Sequence, residues 1–426
     1  MMRVVEPGVE LTTLPSGLRV VTHRMPHLQS ATLGVWVASG SRHESKALHG
    51  ISHLLEHMAF KSTMTRTTRQ MAEEIEAVGG EINAATGAET TAYFARVLAP
   101  DTGLALELLA DMLLNPRFDP EELARETGVI VQEIAGASDQ PDDIVFEQAE
   151  DAAFSKQALG RPILGTRQSV SRITPDDLRA HIRRNYNPTR MVISAAGAVT
   201  HDAIVRHAEA LFGGSSGLES QTTEAARFTG GTRFADKSFE QHHVLLAFEG
   251  PSYLDPRYYG AQVLTGLLGG GTSSRLFQKV REDHGLCYGI DAFGWSYADS
   301  GVVGVHAATG SDMVGDLMTM VAGEIRDLID NGPNDGELLR AKAQIRASIL
   351  MSLESTAARA EQMARHVLVH GAPLTAIDLI ERIDNVRGAD VRTMADDIFR
   401  SKTFVWSEVG PGAKGKFASE TVALLG

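Results

Sequence analysis

The sequence predicts an α+β fold made of two homologous halves, and three observations carry that reading. The chain has 426 residues, 43% of them hydrophobic and 22% charged, which is ordinary globular composition but too long for one compact core. A stretch rich in Gly, Ser and Thr, FGGSSGLESQTTEAARFTGG at 212–231, has no apolar period and falls near the middle of the chain. The segments on either side of it repeat one layout, which is the mark of duplication. The expected organisation is an N-terminal domain over 1–215, a linker over 216–231 and a C-terminal domain over 232–426.

Each half begins with a strand rich in β-branched and aromatic residues that ends in Gly and Ser, ATLGVWVASGS in the first and HHVLLAFEGPS in the second. A helical segment follows, around 49–59 or 257–268, and then a second strand, TTAYFARVL or GVVGVHAAT. A helix pair comes next, its second member carrying EELAR at 121–125 or GELLR at 336–340. The spacing from Leu55 to Arg125 is 70 positions, and from Leu268 to Arg340 it is 72. The halves diverge at ionisable positions. Where the first has Glu56 and His57 after its Leu pair, the second has Gly269, Gly270 and Gly271. Eight residues beyond Arg125 stands Glu133, and eight beyond Arg340 stands Ser348. One half therefore carries a site, and its twin supports it.

Composition excludes several classes. With 40 basic and 54 acidic residues the net charge is -14, which argues against a nucleic-acid-binding surface and mildly favours basic ligands. Residues 101–150 hold thirteen Asp or Glu against Arg117 and Arg125, a pattern that first reads as solvated helix faces. No apolar run approaches the roughly 18 residues that a membrane span requires. The N-terminal segment MMRVVEPGVELTTLPSG resembles neither a secretory signal nor a transit peptide, so a cytoplasmic protein is expected. Cys287 is the only cysteine, so a metal must be held by His and carboxylates.

The segment HGISHLLEHMAF at 49–60 sets His49, His53, His57 and Glu56 among Leu54, Leu55, Met58 and Phe60. Imidazoles and a carboxylate on an apolar helix cost free energy unless something compensates them. Residues four apart share a helix face, so His53 and His57 converge on one point and form a chelating pair for a divalent metal, most often zinc. Glu56 projects beside that point, where it can take a proton from an attacking water. The order HxxEH inverts the better-known HExxH and supplies the same parts. His49 precedes a glycine and reads as a helix-entrance residue, and His43 in GSRHES has no spacing argument.

A catalytic zinc needs a third protein ligand and an open position. The segment FDPEELARETGVIVQEIAG reads as a helix with Asp119 as cap, Pro120 in its first turn and Gly136 at its stop. Its apolar stripe includes Leu123, Ile130 and Ile134, and Glu126 and Glu133 fall on the same stripe. Both acids are predicted to face inward, where an ionised carboxylate needs a partner. On this ground one of them is the third ligand and the other holds a histidine ring. The ordinary structural alternative pairs the two acids with Arg125.

These residues resemble the pitrilysin (insulinase) family of zinc metallopeptidases, and within it the branch similar to the mitochondrial processing peptidase β subunit. The resemblance spans nearly the whole chain and is carried by HLLEHMAFKST (53–63), GGEINAATGAETTAYFARVL (79–98), RETGVIVQEI (125–134) and LLGGGTSSRLFQKVREDHGLCY (267–288). It implies one zinc per chain held by His53, His57 and Glu133, the last 76 positions after the second histidine. It implies Glu56 as general base and Glu126 as the acid that orients a ligand. It also implies mainly antiparallel sheets with helices packed on them, the two halves enclosing a chamber.

Two further parts are implied. NAATGAETTAY resembles the edge strand along which substrate lies, with Asn83 and Ala84 at the backbone-contacting positions, a case of β-augmentation. Arg281 and Tyr288 match the family's Arg–x6–Tyr pair, which serves the scissile carbonyl and the substrate backbone. On residues alone, Arg281 reads as a surface helix residue and Tyr288 as a core aromatic. Some family members divide the zinc residues and this pair between two chains. Here one chain has both, which implies a self-sufficient homodimer. The loop LGGGTSS is shorter than the glycine-rich loop of the non-catalytic processing subunit, so a dedicated presequence-recognition loop is not expected.

The expected function is zinc-dependent endopeptidase action on extended, unfolded peptides, basic or presequence-like, with Glu73, Glu74 and Glu76 either reading basic side chains or forming a solvated helix face. The alternative is a non-catalytic scaffold or peptide-binding subunit of the same fold.

Overall fold

The structure is a computed structural model that describes residues 2–214 and 223–426. Among these residues the strands are β1 (Met2–Glu6), β2 (Val9–Thr13), β3 (Arg19–Arg24), β4 (Ser30–Val37), β5 (Glu81–Thr86), β6 (Thr91–Leu98), β7 (Met191–Gly197), β8 (Gly231–Asp236), β9 (His242–Glu249), β10 (Gly289–Ser296), β11 (Gly301–Thr309) and β12 (Phe404–Gly410). The first five helices are α1 (Ile51–Ala59), α2 (Thr68–Ala77), α3 (Thr102–Leu114), α4 (Pro120–Ala137) and α5 (Pro141–Ala153).

The strands make two sheets, ordered β1-β2-β3-β7-β4-β6-β5 and β10-β11-β9-β12-β8. Read from the parallel pair outward, the first contains β3-β7-β4-β6-β5 and the second is β8-β12-β9-β11-β10. The order is the same in both, with one parallel contact in each, β3 with β7 and β8 with β12. The remaining pairs are antiparallel. The duplication legible in the sequence is thus a duplication of sheet topology, and the first sheet adds the β1–β2 hairpin.

The chain forms two compact units that a cut at the linker does not separate. One comprises Met1–Ile134, Pro162–Glu224 and Leu350–Thr375, and the other Ala135–Arg161, Ala225–Ile349 and Ala376–Gly426. These units differ from a division at 215 and 232, because each takes a helical segment from the other half of the sequence. Residues 216–222 of the expected linker lie outside the described residues. Its later part is anchored, with Thr229 donating to the carbonyl oxygens of Ala152 and Ala153 in the second unit.

In the first unit, β4 is buried at every position after Ser30, since both faces of the sheet are covered. Leu33, Val35 and Val37 join Val20, Tyr93 and Ile193 in a core that also receives Leu54 and Leu55 of α1 and Leu108 of α3. The alternate residues Trp36, Val21, Val192 and Ala196 face the helix Thr356–His370 through Ala360, Met363, Ala364 and Val367. In the second unit, Val244, Leu246 and Phe248 pack with Leu264 and Leu268 of the helix Tyr258–Gly269. The second sheet is also packed by α5, which lies on β8, β9 and β12. The helices α5 and Thr356–His370 are exchanged between the halves of the sequence.

A close approach accounts for the missing acid in the second half. The helix Tyr258–Gly269 packs on β10 so tightly that a Cβ at Gly269, the counterpart of Glu56, would lie 2.3 Å from the Ala292 backbone nitrogen. No helix among the described residues is long and apolar enough to cross a membrane.

Candidate metal centre

The start of α1 is built by a residue that its own pattern does not reveal. The buried carboxylate of Glu44 accepts the backbone N–H groups of Gly50 (2.7 Å) and Ser52 (2.8 Å), capping two donors that a helix N-terminus leaves unpaired. Gly50 has φ +92°, and a Cβ there would meet the Leu164 carbonyl oxygen at 2.8 Å, so the turn into the helix requires glycine. His49 is buried, with Nε2 2.6 Å from the Pro162 carbonyl oxygen, and stands before the helix rather than on the face of His53 and His57.

From this fixed start, Ile51, Leu54, Leu55 and Met58 enter the core, and His53, Glu56 and His57 take a half-buried face. The imidazoles of His53 and His57 lie edge to face, 4.7 Å between centroids. On α4, Asp119 Oδ1 accepts from the N–H groups of Glu121 and Glu122, as its predicted capping role requires. Leu123 and Ile130 are buried, and the helix runs one residue past Gly136. Glu133 brings Oε2 to 3.5 Å from His57 Nε2 and 3.8 Å from His53 Nε2. Glu126, two turns earlier, places Oε2 3.1 Å from His57 Nδ1.

The electrostatics suit a cation. Burial, followed by the neighbouring His57, pushes the His53 imidazole down to about 4, so it is neutral at pH 7 and offers a lone pair. His53 Nδ1 is buried without a hydrogen-bond partner. Glu126 receives the His57 Nδ1 proton, which leaves Nε2 free to face Glu133. Burial pushes the Glu126 carboxyl up, but hydrogen bonds from Lys61 and His57 outweigh it and hold the group below the ordinary carboxylate range. Lys61 Nζ is 2.7 Å from Glu126 Oε1. It lies one turn after His57, a spacing that could have flagged it. Two imidazoles and a carboxylate form a donor set that fits a zinc-class divalent ion.

Glu56 is oriented separately. Its Oε2 accepts the hydroxyl of Thr86, the last residue of β5, at 2.5 Å. β5 is the terminal strand of its sheet, paired with β6 alone. Asn83 and Ala84 lie on it, and the Ala84 N–H donates to Asn83 Oδ1 at 2.8 Å.

In the second unit, Arg281 falls in a π-helical turn, Phe277–Asp283. Its guanidinium carbon is 4.6 Å from the Phe277 ring centroid and 5.3 Å from that of Tyr288. Tyr288 is 76% exposed, which overturns its reading as a core aromatic and leaves its hydroxyl end available. Among the acids of α2, Glu73 pairs with Arg69 and Glu74 with Arg66, which also holds Glu107 and Asp111.

Comparison with known proteins gives this geometry a family. Residues 19–167 match the family described as Insulinase (Peptidase family M16), and residues 172–345 match the Peptidase M16 inactive domain. An uncharacterized zinc protease of Rickettsia felis is 39% identical over 92% of this chain and 95% of its own length. The chain belongs to the insulinase family, peptidase family M16. A probable mitochondrial-processing peptidase subunit beta of Arabidopsis thaliana is 37% identical over 95% of this chain and 79% of its own. This M16 chain also shares its fold with a protease from Helicobacter pylori, at a TM-score of 0.88 and 20% identity over 95% of this chain and 99% of the other. A chain of complex III2 from Candida albicans has the same fold, at a TM-score of 0.86 and 20% identity over 98% and 100% of the two chains. The relatives named zinc proteases give the M16 chain a metallopeptidase assignment, and its halves are the mixed α/β units of that fold.

Proposed function

We propose that the chain is a zinc endopeptidase that cleaves extended, unfolded peptides, with His53, His57 and Glu133 as ligands of one zinc and Glu56 as general base. The observation that carries this reading is the convergence of His53 Nε2, His57 Nε2 and Glu133 Oε2, with an independently held carboxylate, Glu56, on the same helix. A zinc ion held there would supply a Lewis acid that makes water acidic enough to attack near neutral pH. Glu56 takes the proton of the attacking water and delivers it to the leaving amine. Glu126 fixes the tautomer of His57. Arg281 and Tyr288 serve the substrate backbone and the scissile carbonyl, with Tyr288 as a hydrogen-bond donor to the oxyanion.

Peptide enters as an added strand on β5 at Asn83 and Ala84. Such pairing uses main-chain groups, so it selects extended chains over folded domains. Basic or presequence-like character of the substrate rests on the net charge of -14 rather than on Glu73 or Glu74, whose carboxylates are paired within the chain. Because one chain carries both residue sets, a homodimer is the proposed assembly. The alternative is a two-chain enzyme, since the plant relative is named as a subunit, and the mass of the purified assembly separates the two.

The scaffold reading predicts no new amines from any peptide. The purified chain, incubated with an unstructured basic peptide, should cleave it in a chelator-sensitive way. Glu56→Gln should abolish cleavage while retaining metal. Turnover by that variant would remove Glu56 from the role of base.

A further inference from the structure

A second histidine cluster lies in the unit whose ionisable counterparts of Glu56 and His57 are glycines. His243 on β9 and His306 on β11 are 3% and 8% exposed, yet their rings meet at polar atoms. His243 Nδ1 is 3.3 Å from His306 Nε2. Asp142, in the first turn of α5, places Oδ1 3.0 Å from His243 Nδ1 and 3.5 Å from His306 Nε2. On the far side of the second ring, His306 Nδ1 is 3.2 Å from Oδ1 of Asp291 on β10. Phe146 of α5 lies against the His306 ring at 5.0 Å and also meets Phe293 and Trp295, giving the cluster an apolar wall.

Hydrogen bonding within the chain leaves this arrangement underfilled. Asp291 draws the His306 proton to Nδ1, which turns Nε2 into a lone pair. Asp142 is an acceptor only. With both rings in the neutral form that binds metal, at most one proton, on His243 Nδ1, is available to three atoms that face one another. The separations match a different partner. Two ligands about 2.0–2.1 Å from a tetrahedral zinc stand roughly 3.3 Å apart, and the three separations here bracket that value. Asp291 supplies the outer carboxylate that metal-bound histidines usually have.

We propose that Asp142, His243 and His306 form a second divalent-metal site of the zinc class, with Asp291 orienting His306. The exposed Asp142 and Asp291 carboxylates border it and give an ion a way in. Its ligands come from α5 and from the sheet on which α5 packs, so an ion there would clamp the exchanged helix at its first turn. In the first unit the corresponding place, where the helix Thr356–His370 starts against β4, is held by a hydroxyl pair, Thr32 with Thr356 at 2.8 Å. The site is structural in role, since nothing about it calls for a peptide.

The test is metal stoichiometry at micromolar free zinc, after chelator treatment and dialysis. Wild-type chain should bind two ions. The His53→Ala/His57→Ala variant should bind one, with a rise in thermal stability on adding zinc. Asp142→Asn should bind one, with peptidase activity retained, and its weaker site should lose more than the roughly 10–100-fold that removal of an outer partner costs. Asp143→Asn, an exposed acid one residue away, is the control and should bind two. Cobalt substitution of the His53→Ala/His57→Ala variant should give the visible spectrum of a four-coordinate site. The proposal is overturned if the His53→Ala/His57→Ala variant binds no ion, or if Asp142→Asn holds the second ion as tightly as wild type.

Discussion

Thr86, the last residue of the edge strand, donates its hydroxyl to Glu56 Oε2 at 2.5 Å. This bond ties the proposed base to the strand on which substrate would pair, so base orientation and substrate register share one element. Thr86→Val keeps the β-branched shape and removes the donor. A hydrogen bond to a charged group contributes about 1.5–3 kcal/mol, so kcat should fall roughly 10- to 150-fold with KM nearly unchanged. Thr86→Ser should restore most of the rate. An equal loss in both variants, or a loss confined to KM, would argue that Thr86 only packs.

Glu126 reaches two groups at once, His57 Nδ1 at 3.1 Å and Lys61 Nζ at 2.7 Å. In the proposed site it would set which imidazole nitrogen of His57 faces the metal. Glu126→Gln should weaken zinc binding about 10–100-fold, and activity should return in excess zinc. Competition with a chromophoric chelator measures the first and titrated assays the second. Unaltered zinc affinity would confine Glu126 to an ion pair with Lys61.

The Ala84 N–H donates to its own neighbour, Asn83 Oδ1, which keeps this edge from pairing indiscriminately. On the proposed reading, a peptide pairing with Ala84 would displace that side chain. Affinity should therefore follow main-chain groups. A single N-methyl at the pairing residue should cut kcat/KM about 10-fold, within the range of one or two lost hydrogen bonds. Changes of outward side chains should move it only a few-fold. Insensitivity to N-methylation would place the substrate elsewhere.

How much of this was legible in the sequence depends on range. The α1 face with His53, Glu56 and His57, the Asp119 cap, and the inward stripe of Glu126 and Glu133 follow from helical period alone, which is local. The repeated strand order followed from comparing the halves. Glu44, Thr86 and Lys61 were not found. Glu44 and Thr86 act across turns or between elements, where no period speaks. His243 and His306 read only as strand residues, because a cluster formed by three strands and a helix has no spacing in the sequence. Tyr288 was misplaced on residues alone, since an aromatic beside a strand is buried more often than not.

Acid should destabilise the first unit before carboxylates titrate. His23, His43 and His181 are each pushed down to about 4, in every case first by burial and then by neighbouring arginines: Arg359, Arg190 with Arg42, and Arg184. Their unfolded value is about 6.5, so below that pH the unfolded chain binds protons that the native chain refuses. The stability tied to these groups is complete above about 6.5 and is lost as pH falls toward 4. Melting temperature measured in chelator should be level above that point and decline through the window. His181→Gln should make the decline shallower. A melting temperature that holds level to pH 4 would show that these imidazoles are not neutral by constraint.

The exchange of helices makes the halves of the sequence interdependent. Without residues 350–375, the first sheet exposes Val21, Trp36, Val192 and Ala196, which otherwise meet Ala360, Met363, Ala364 and Val367. Burying a side chain of this kind contributes about 1.5–3 kcal/mol, and a few of them equal the whole stability of an ordinary domain. A fragment of residues 1–215 made alone should therefore be insoluble or bind hydrophobic dyes. The same fragment made together with residues 216–426 should be recovered as a soluble pair. Appending residues 350–375 to the first fragment should improve its solubility without the rest of the second. If residues 1–215 fold alone with a cooperative melt near that of the full chain, the exchanged helix contributes little and the linker is a true domain boundary.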